Sequence, residues 1–221
     1  MDISELEDKH KGESVLILGT GPSLRDFSDN LLLELSQDKA VFALKQAYNY
    51  GPNIASYHFL NSANIQHYSY QSPIHIILEL ASNELGWSQQ IPHHNLVVVG
   101  DNTDFSKSLS STHDFETWTM ENSPDSRPFG PGLLWETVLY SAIHMGFTHI
   151  YSVGIDLGPP GEAARSHFYG TGHRVNELSK DETEGEIPLS RAFYRWIQAK
   201  GIEWTVLSKG SYLSPEIPRK E

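Results

Sequence analysis

Cysteine is absent from the 221 residues, which excludes disulfides and thiolate zinc sites. Basic side chains are scarce: 16 Lys and Arg stand against 28 Asp and Glu, a formal charge of −12. That balance opposes general binding to nucleic acid or to an anionic membrane, and leaves room only for a local basic pocket around one small anion. Long apolar runs are missing, and Met1 to Gly12 is charged throughout. No leader or membrane span is therefore expected, and the chain is placed in the cytoplasm, at most peripheral to the inner membrane face. No internal repeat or low-complexity tract occurs, and an aromatic content of 11% exceeds that of a disordered chain.

Several catalytic signatures are missing too. No Gly-Lys-Ser/Thr follows a glycine turn, so a P-loop is excluded. No Gly-x-Ser-x-Gly occurs, so a serine nucleophile would have to be chosen arbitrarily between Ser23 and Ser166. His167, His173 and Asp156 would be the ligands of a metal site, but no helical His pair and no Asp-x-Asp accompanies them. The expectation is a site without metal.

What is present begins with Ser14-Val15-Leu16-Ile17-Leu18, running into Gly19-Thr20-Gly21-Pro22-Ser23-Leu24. An apolar run, a glycine turn and a proline suited to the first helical position read as strand, tight turn and helix start. Free amides at such a start attract phosphate, so a nucleotide is expected against this turn. A dinucleotide fold would want a third glycine, where Leu24 stands. It would also want an acidic residue after the second strand, where Lys45-Gln46 stands. Lys45 suits a phosphate or an acidic sugar better than a ribose.

Further short apolar runs are expected as strands: 40–44, 57–60, 74–78, 96–99, 149–153 and 204–207. Leu24, Phe27, Leu31 and Leu35, with Leu32 and Leu33, predict one helix from the glycine turn onward. Leu134, Val138, Ser141, Ala142 and Met145 predict a second, capped by Gly146, and Leu189, Phe193, Trp196 and Ile197 a third. The acidic stretch 180–186 reads as a mobile connection. Alternating strands and helices predict an α/β fold, a single Rossmann-like doubly wound, mainly parallel sheet with helices on both faces. The domain is placed at 14–209, after a polar lead-in (1–13) and before a polar tail (210–221), with 101–127 as an insertion or lid. Ligands of such sheets bind at the carboxyl ends of the strands, which here collect Thr20, Lys45, Asn61 and Asp156. The loop Ser166-His167-Phe168-Tyr169-Gly170-Thr171-Gly172-His173-Arg174 follows a strand end and is loosened by glycine. One of its histidines is suited to take a proton from a hydroxyl, and Tyr169 and Arg174 to face a phosphate leaving group.

Gly19-Thr20-Gly21-Pro22-Ser23-Leu24 resembles the Gly-Asn-Gly-Pro-Ser-Leu start of the small bacterial lipooligosaccharide sialyltransferases. Gly132 through Gly146, then Ile150 to Asp156, is similar to that family's second conserved block. Ser166-His167-Phe168-Tyr169 with His173 resembles its Ser-His-Tyr segment, and Asn61 falls where the family has a cytidine-contacting asparagine. Similar blocks recur in a related family that includes an archaeal 6-hydroxymethyl-7,8-dihydropterin pyrophosphokinase. The first resemblance implies transfer of sialic acid from a CMP-sugar to a glycan hydroxyl, with no metal or other cofactor. Its partners would be a nucleotide-sugar donor and a glycan acceptor, with a homo-oligomer left open. His167 would be the base, with Tyr169 and His173 beside it. Gly19, Thr20, Gly21, Pro22, Ser23, Lys45, Asn61, Gly132, Gly154 and Asp156 would line the nucleotide site. The chain departs from the pattern at Thr20, Lys45 and Pro131, and the loop from Asp156 to His167 is short and lacks the family's tyrosines. A pyrophosphokinase-like enzyme using ATP and Mg²⁺, and a non-catalytic nucleotide-binding module, are the alternatives.

Overall fold

Ser14–Leu18 (β1) is a strand covered on both faces, and the sheet is built outward from it. Val15, Leu16, Ile17 and Leu18 are all fully buried. The computed structural model describes residues 3–50, 53–61, 68, 75–80, 96–100, 134–157 and 180–220. β1 pairs in parallel with Lys39–Leu44 (β2) on one side and His149–Val153 (β6) on the other. Beyond β2 lie Tyr57–Asn61 (β3), His75–Leu80 (β4) and Leu96–Gly100 (β5); beyond β6 lies Glu203–Val206 (β7). The order of this seven-stranded parallel sheet is β5-β4-β3-β2-β1-β6-β7. The chain thus winds outward from β1 in one direction, then returns beside β1 and winds outward in the other.

Because side chains alternate along a strand, β1 feeds two cores. Leu16 and Leu18 pack with Leu24, Leu32, Val41 and Val153 on one face. Val15 and Ile17 pack on the other with Phe42, Phe59, Phe193 and Trp204. The first face is covered by Asp29–Leu35 (α1) and Ala47–Tyr50 (α2), the second by Leu139–His144 (α3) and Lys180–Ala199 (α4). A right-handed crossover places helices on opposite faces when the winding direction reverses, which is why both faces are covered. This is the doubly wound α/β fold expected from the sequence.

Four elements differ from the sequence-based expectation. The helix after the glycine turn is not continuous: Pro22–Asp26 is a 3-10 turn, Phe27 is extended, and α1 starts afresh behind Ser28. The restart rotates the apolar stripe, so Leu24 and Leu32 are buried while Leu31 and Leu33 are 38% and 56% exposed. The second helix opens with a wide π-type turn, Leu134–Val138. It ends as expected: Gly146 at φ 82 donates to Ile143, and Phe147 to Ala142. Residues 180–186 are helical, forming the start of the 20-residue α4. The strand expected at 74–78 runs from His75 to Leu80.

Both flanking segments are part of the packing. Leu6 is in the core, and the amides of Asp8, His10 and Gly12 donate to the carbonyls of His144, Met145 and Gly146. After β7 the chain folds back as a strap: Leu213 and Ile217 are buried, and Arg219 bridges back to Val206. Among the described residues no helix is long and apolar enough to cross a membrane. The stretch 101–127 lies outside the described residues.

Candidate functional site

The winding direction reverses between β1 and β6, and the carboxyl ends of these two strands form the crevice where ligands of open α/β sheets bind. Two loops meet there at very short range. The amide of Gly19 donates to the carbonyl of Val153, and that of Gly21 to the carbonyl of Gly154, each at 2.7 Å. Gly154 has φ 71, a conformation that glycine adopts without steric cost. A Cβ on Gly19 would collide with the Gly154 carbonyl, and one on Gly21 with that carbonyl and the Asp156 carboxylate. The glycines at 19, 21 and 154 are thus required by the approach of one loop to the other.

Asp156 closes the arrangement. Its Oδ2 accepts from the amide of Ser23 at 2.8 Å, and its Oδ1 from the Ser23 hydroxyl at 2.5 Å. The Ser23 Oγ also lies 2.7 Å from Ser208 Oγ, which accepts from the amide of Gly154 at 2.8 Å. Asp156 is largely buried, and these donors compensate its charge. These bonds bear on the expectation of a phosphate at the first helix start. The amides of Gly19, Gly21, Ser23 and Leu24 all donate within the chain, and Pro22 has no N–H to offer. A phosphate at the Ser23 amide would have to displace a carboxylate of like charge. The 3-10 turn is also too short to build the dipole of a long helix.

Beside this crevice, β2 is followed directly by Lys45, a non-glycine residue at φ 44. Its amide donates to the carbonyl of Phe59 at 2.8 Å, extending the ladder to β3, and its carbonyl accepts from Nε2 of His58, also at 2.8 Å. His58 is fully buried, stacked on Tyr48 and met edge-on by Tyr68, with both ring centroids 4.6 Å away. Burial lowers its pKa to about 4, against a smaller upward pull from the bond to Lys45, so the imidazole is neutral near pH 7. Gln46 follows, and its Oε1 is buried with no hydrogen-bond partner among the described residues.

Of the residues expected at the site, the fold brings Gly19, Thr20, Gly21, Pro22, Ser23, Gly154 and Asp156 together across the β1–β6 boundary. Lys45 stands at the end of the next strand, and Asn61 one strand further, with its side chain outside the described residues. Gly132, His167, Tyr169 and His173 lie outside the described residues. Ser208, Gln46 and His58 were missed. Ser208 sits just past a strand end, by the same rule that selected Asp156. His58 is a polar residue inside an otherwise apolar strand, which is itself a signal.

No family model matches the chain, and no curated protein matches it. Solved structures do. The MAf glycosyltransferase from Magnetospirillum magneticum AMB-1 superposes with a TM-score of 0.55 at 15% identity, over 99% of this chain and 37% of that one. The chain therefore spans little more than a third of that neighbour's length, and shares its fold. The sialyltransferase CstII from Campylobacter jejuni, in complex with cytidine-5′-monophosphate, superposes at 16% identity with a TM-score of 0.46, over 92% of this chain and 85% of that one.

Proposed function

We propose that the chain is a glycosyltransferase that takes a CMP-sugar at the β1–β6 switch point and passes its sugar to a glycan hydroxyl without a metal ion. The observation that carries this reading is the convergence there of the glycine turn, the Gly154–Asp156 loop and the Lys45–Gln46 strand end. The fold shared with a glycosyltransferase is compatible with it. The cytidine donor and the histidine base rest on the sequence resemblance alone.

In this reading the turn amides are structural, and Lys45 supplies the positive charge for the donor's phosphate or sugar carboxylate. The buried Oε1 of Gln46 accepts a donor group of the ligand, which accounts for an acceptor left unpaired among the described residues. His167 removes the proton from the acceptor hydroxyl as the sugar–phosphate bond breaks. CMP leaves with the bonding electron pair, Tyr169 assists that departure, and His173 stands beside the base. Incubation with CMP-sialic acid and a galactose-terminated acceptor in EDTA should release CMP and form sialylated product. His167→Ala should lower the rate at least ~100-fold, the lower end of a general base's contribution. Product formed by His167→Ala at the wild-type rate would remove the assigned base. Turnover only with ATP and Mg²⁺ on a pterin alcohol would favour the pyrophosphokinase reading instead.

A further inference from the structure

We infer that His58 is a positioning residue, which holds the end of β2 in the backbone conformation that presents Lys45 and Gln46 to the donor. This inference rests on the proposed CMP-sugar site and adds to it the device that fixes its cationic wall.

A left-handed conformation at a residue with a Cβ is unfavourable, and it persists only where the surroundings over-determine it. At Lys45 they do so from both sides. The amide is tied to Phe59 and the carbonyl to His58, two residues on the neighbouring strand. The carbonyl can only accept, so Nε2 of His58 carries the proton. The ring has no freedom to withdraw it, being fully buried and held by Tyr48 and Tyr68. Without a donor at that point, residue 45 would relax toward extended backbone, and β2 would carry the next two side chains to other places. Alternation along a strand makes one residue of slip a change of face. An apolar residue would serve packing equally well in this strand. A buried imidazole that spends its one proton on the Lys45 carbonyl points to that carbonyl as its purpose.

The test combines binding and NMR. CMP affinity would be measured by calorimetry for wild type, Lys45→Ala, His58→Gln, His58→Phe and the Lys45→Ala/His58→Phe double variant. Gln places an N–H where Nε2 was, whereas Phe keeps the ring and loses the donor. Phe should weaken CMP about tenfold, the equivalent of one lost polar contact, and Gln should stay within about threefold of wild type. The double variant should lose less than the sum of the two single losses, because His58 acts through Lys45 and Gln46. Wild-type affinity in His58→Phe, or additive losses in the double variant, would overturn the inference while leaving the donor site standing. If wild type binds no CMP, the proposed function fails, and NMR of the unliganded protein decides the role of His58. ¹⁵N spectra should show the Nε2–H tautomer, with the amide resonances of Lys45 and Gln46 shifted in His58→Phe and near wild type in His58→Gln. The Nδ1–H tautomer, or unmoved resonances, would overturn the inference without any ligand. Should His58→Phe not fold, the tautomer and His58→Gln carry the test.

Discussion

At the scale of single residues, the closest approach in the site separates two kinds of glycine. Gly19 has no room for a methyl group, because the Gly154 carbonyl already occupies it. Gly210 has nothing within 4 Å and an ordinary φ. Gly19→Ala should therefore destabilise the protein by about 1–3 kcal/mol, the usual range for overpacking. Gly210→Ala should be neutral or stabilising by up to about 1 kcal/mol, through the unfolded chain. Urea denaturation of the two variants beside wild type checks the contrast, and equal effects would refute it. His58 yields a second residue-scale expectation, with a defined sign. Its folded pKa is about 4 against an unfolded value of 6.5, lowered by burial between Tyr48 and Tyr68. Below pH 6.5 the unfolded chain binds a proton that the folded chain refuses until pH 4. Its contribution is thus constant above about pH 6.5 and falls as the pH drops toward 4, with a slope of roughly 1 kcal/mol per pH unit. Stability curves at pH 4.5, 5.5 and 7 should show this slope in wild type and its loss in His58→Gln.

At the scale of elements, the strap after β7 ties the candidate site to the C-terminal part of the chain. Three consecutive residues of the β6 loop are bonded to it: Gly154 to Ser208, Ile155 to the Ser211 hydroxyl, and Asp156 to the amide of Tyr212. Arg219 fastens the strap by donating to the carbonyls of Ser211, Leu213, Ser214 and Ile217, and Glu216 reaches Arg195 on α4 with two bonds. Arg219→Ala should cost about 1.5–3 kcal/mol, the range for hydrogen bonds to a charged group. Hydrogen exchange should rise at the Tyr212 amide, whereas loss of a detached tail would leave that amide unchanged. The strap was illegible in the sequence because its two buried anchors, Leu213 and Ile217, stand among polar residues and prolines without helix or strand periodicity. The break before α1 was hidden for the opposite reason: Leu24 to Leu35 has so many leucines that a continuous helix fits the pattern. Only Ser28, whose hydroxyl accepts from the amide of Leu31, marks the restart. The strands were legible because a run buried on both faces has few alternatives at that length. The helix at 180–186 was obscured by charge, since a polar run offers no apolar stripe to read.

At the scale of the whole molecule, strand order does most to locate a site. The rule that ligands gather where winding reverses needs no individual motif, and it selects the boundary that the glycine turn and Asp156 share. The motif points to that same boundary, but a sequence shows only that an amide is available and not which carboxylate reaches it, as Asp156 does at Ser23. A chain of formal charge −12 repels an anionic ligand at long range, so affinity for a nucleotide must come from a few fixed groups. Such binding adds RT ln(1 + [L]/Kd) to stability, about 2.7 kcal/mol at a hundredfold excess over Kd. For a chain of this size that is a rise in Tm of about 5–10 °C. CMP at saturating concentration should give this shift with EDTA present, and Lys45→Ala should reduce it at the same concentration by removing the cation from the crevice wall. A shift that appears only with ATP and Mg²⁺ together would move the chain to phosphoryl transfer. A CMP shift with no turnover on any CMP-sugar would leave a binding module. No shift with any cytidine nucleotide would mean that the crevice beside Asp156 holds a different class of ligand.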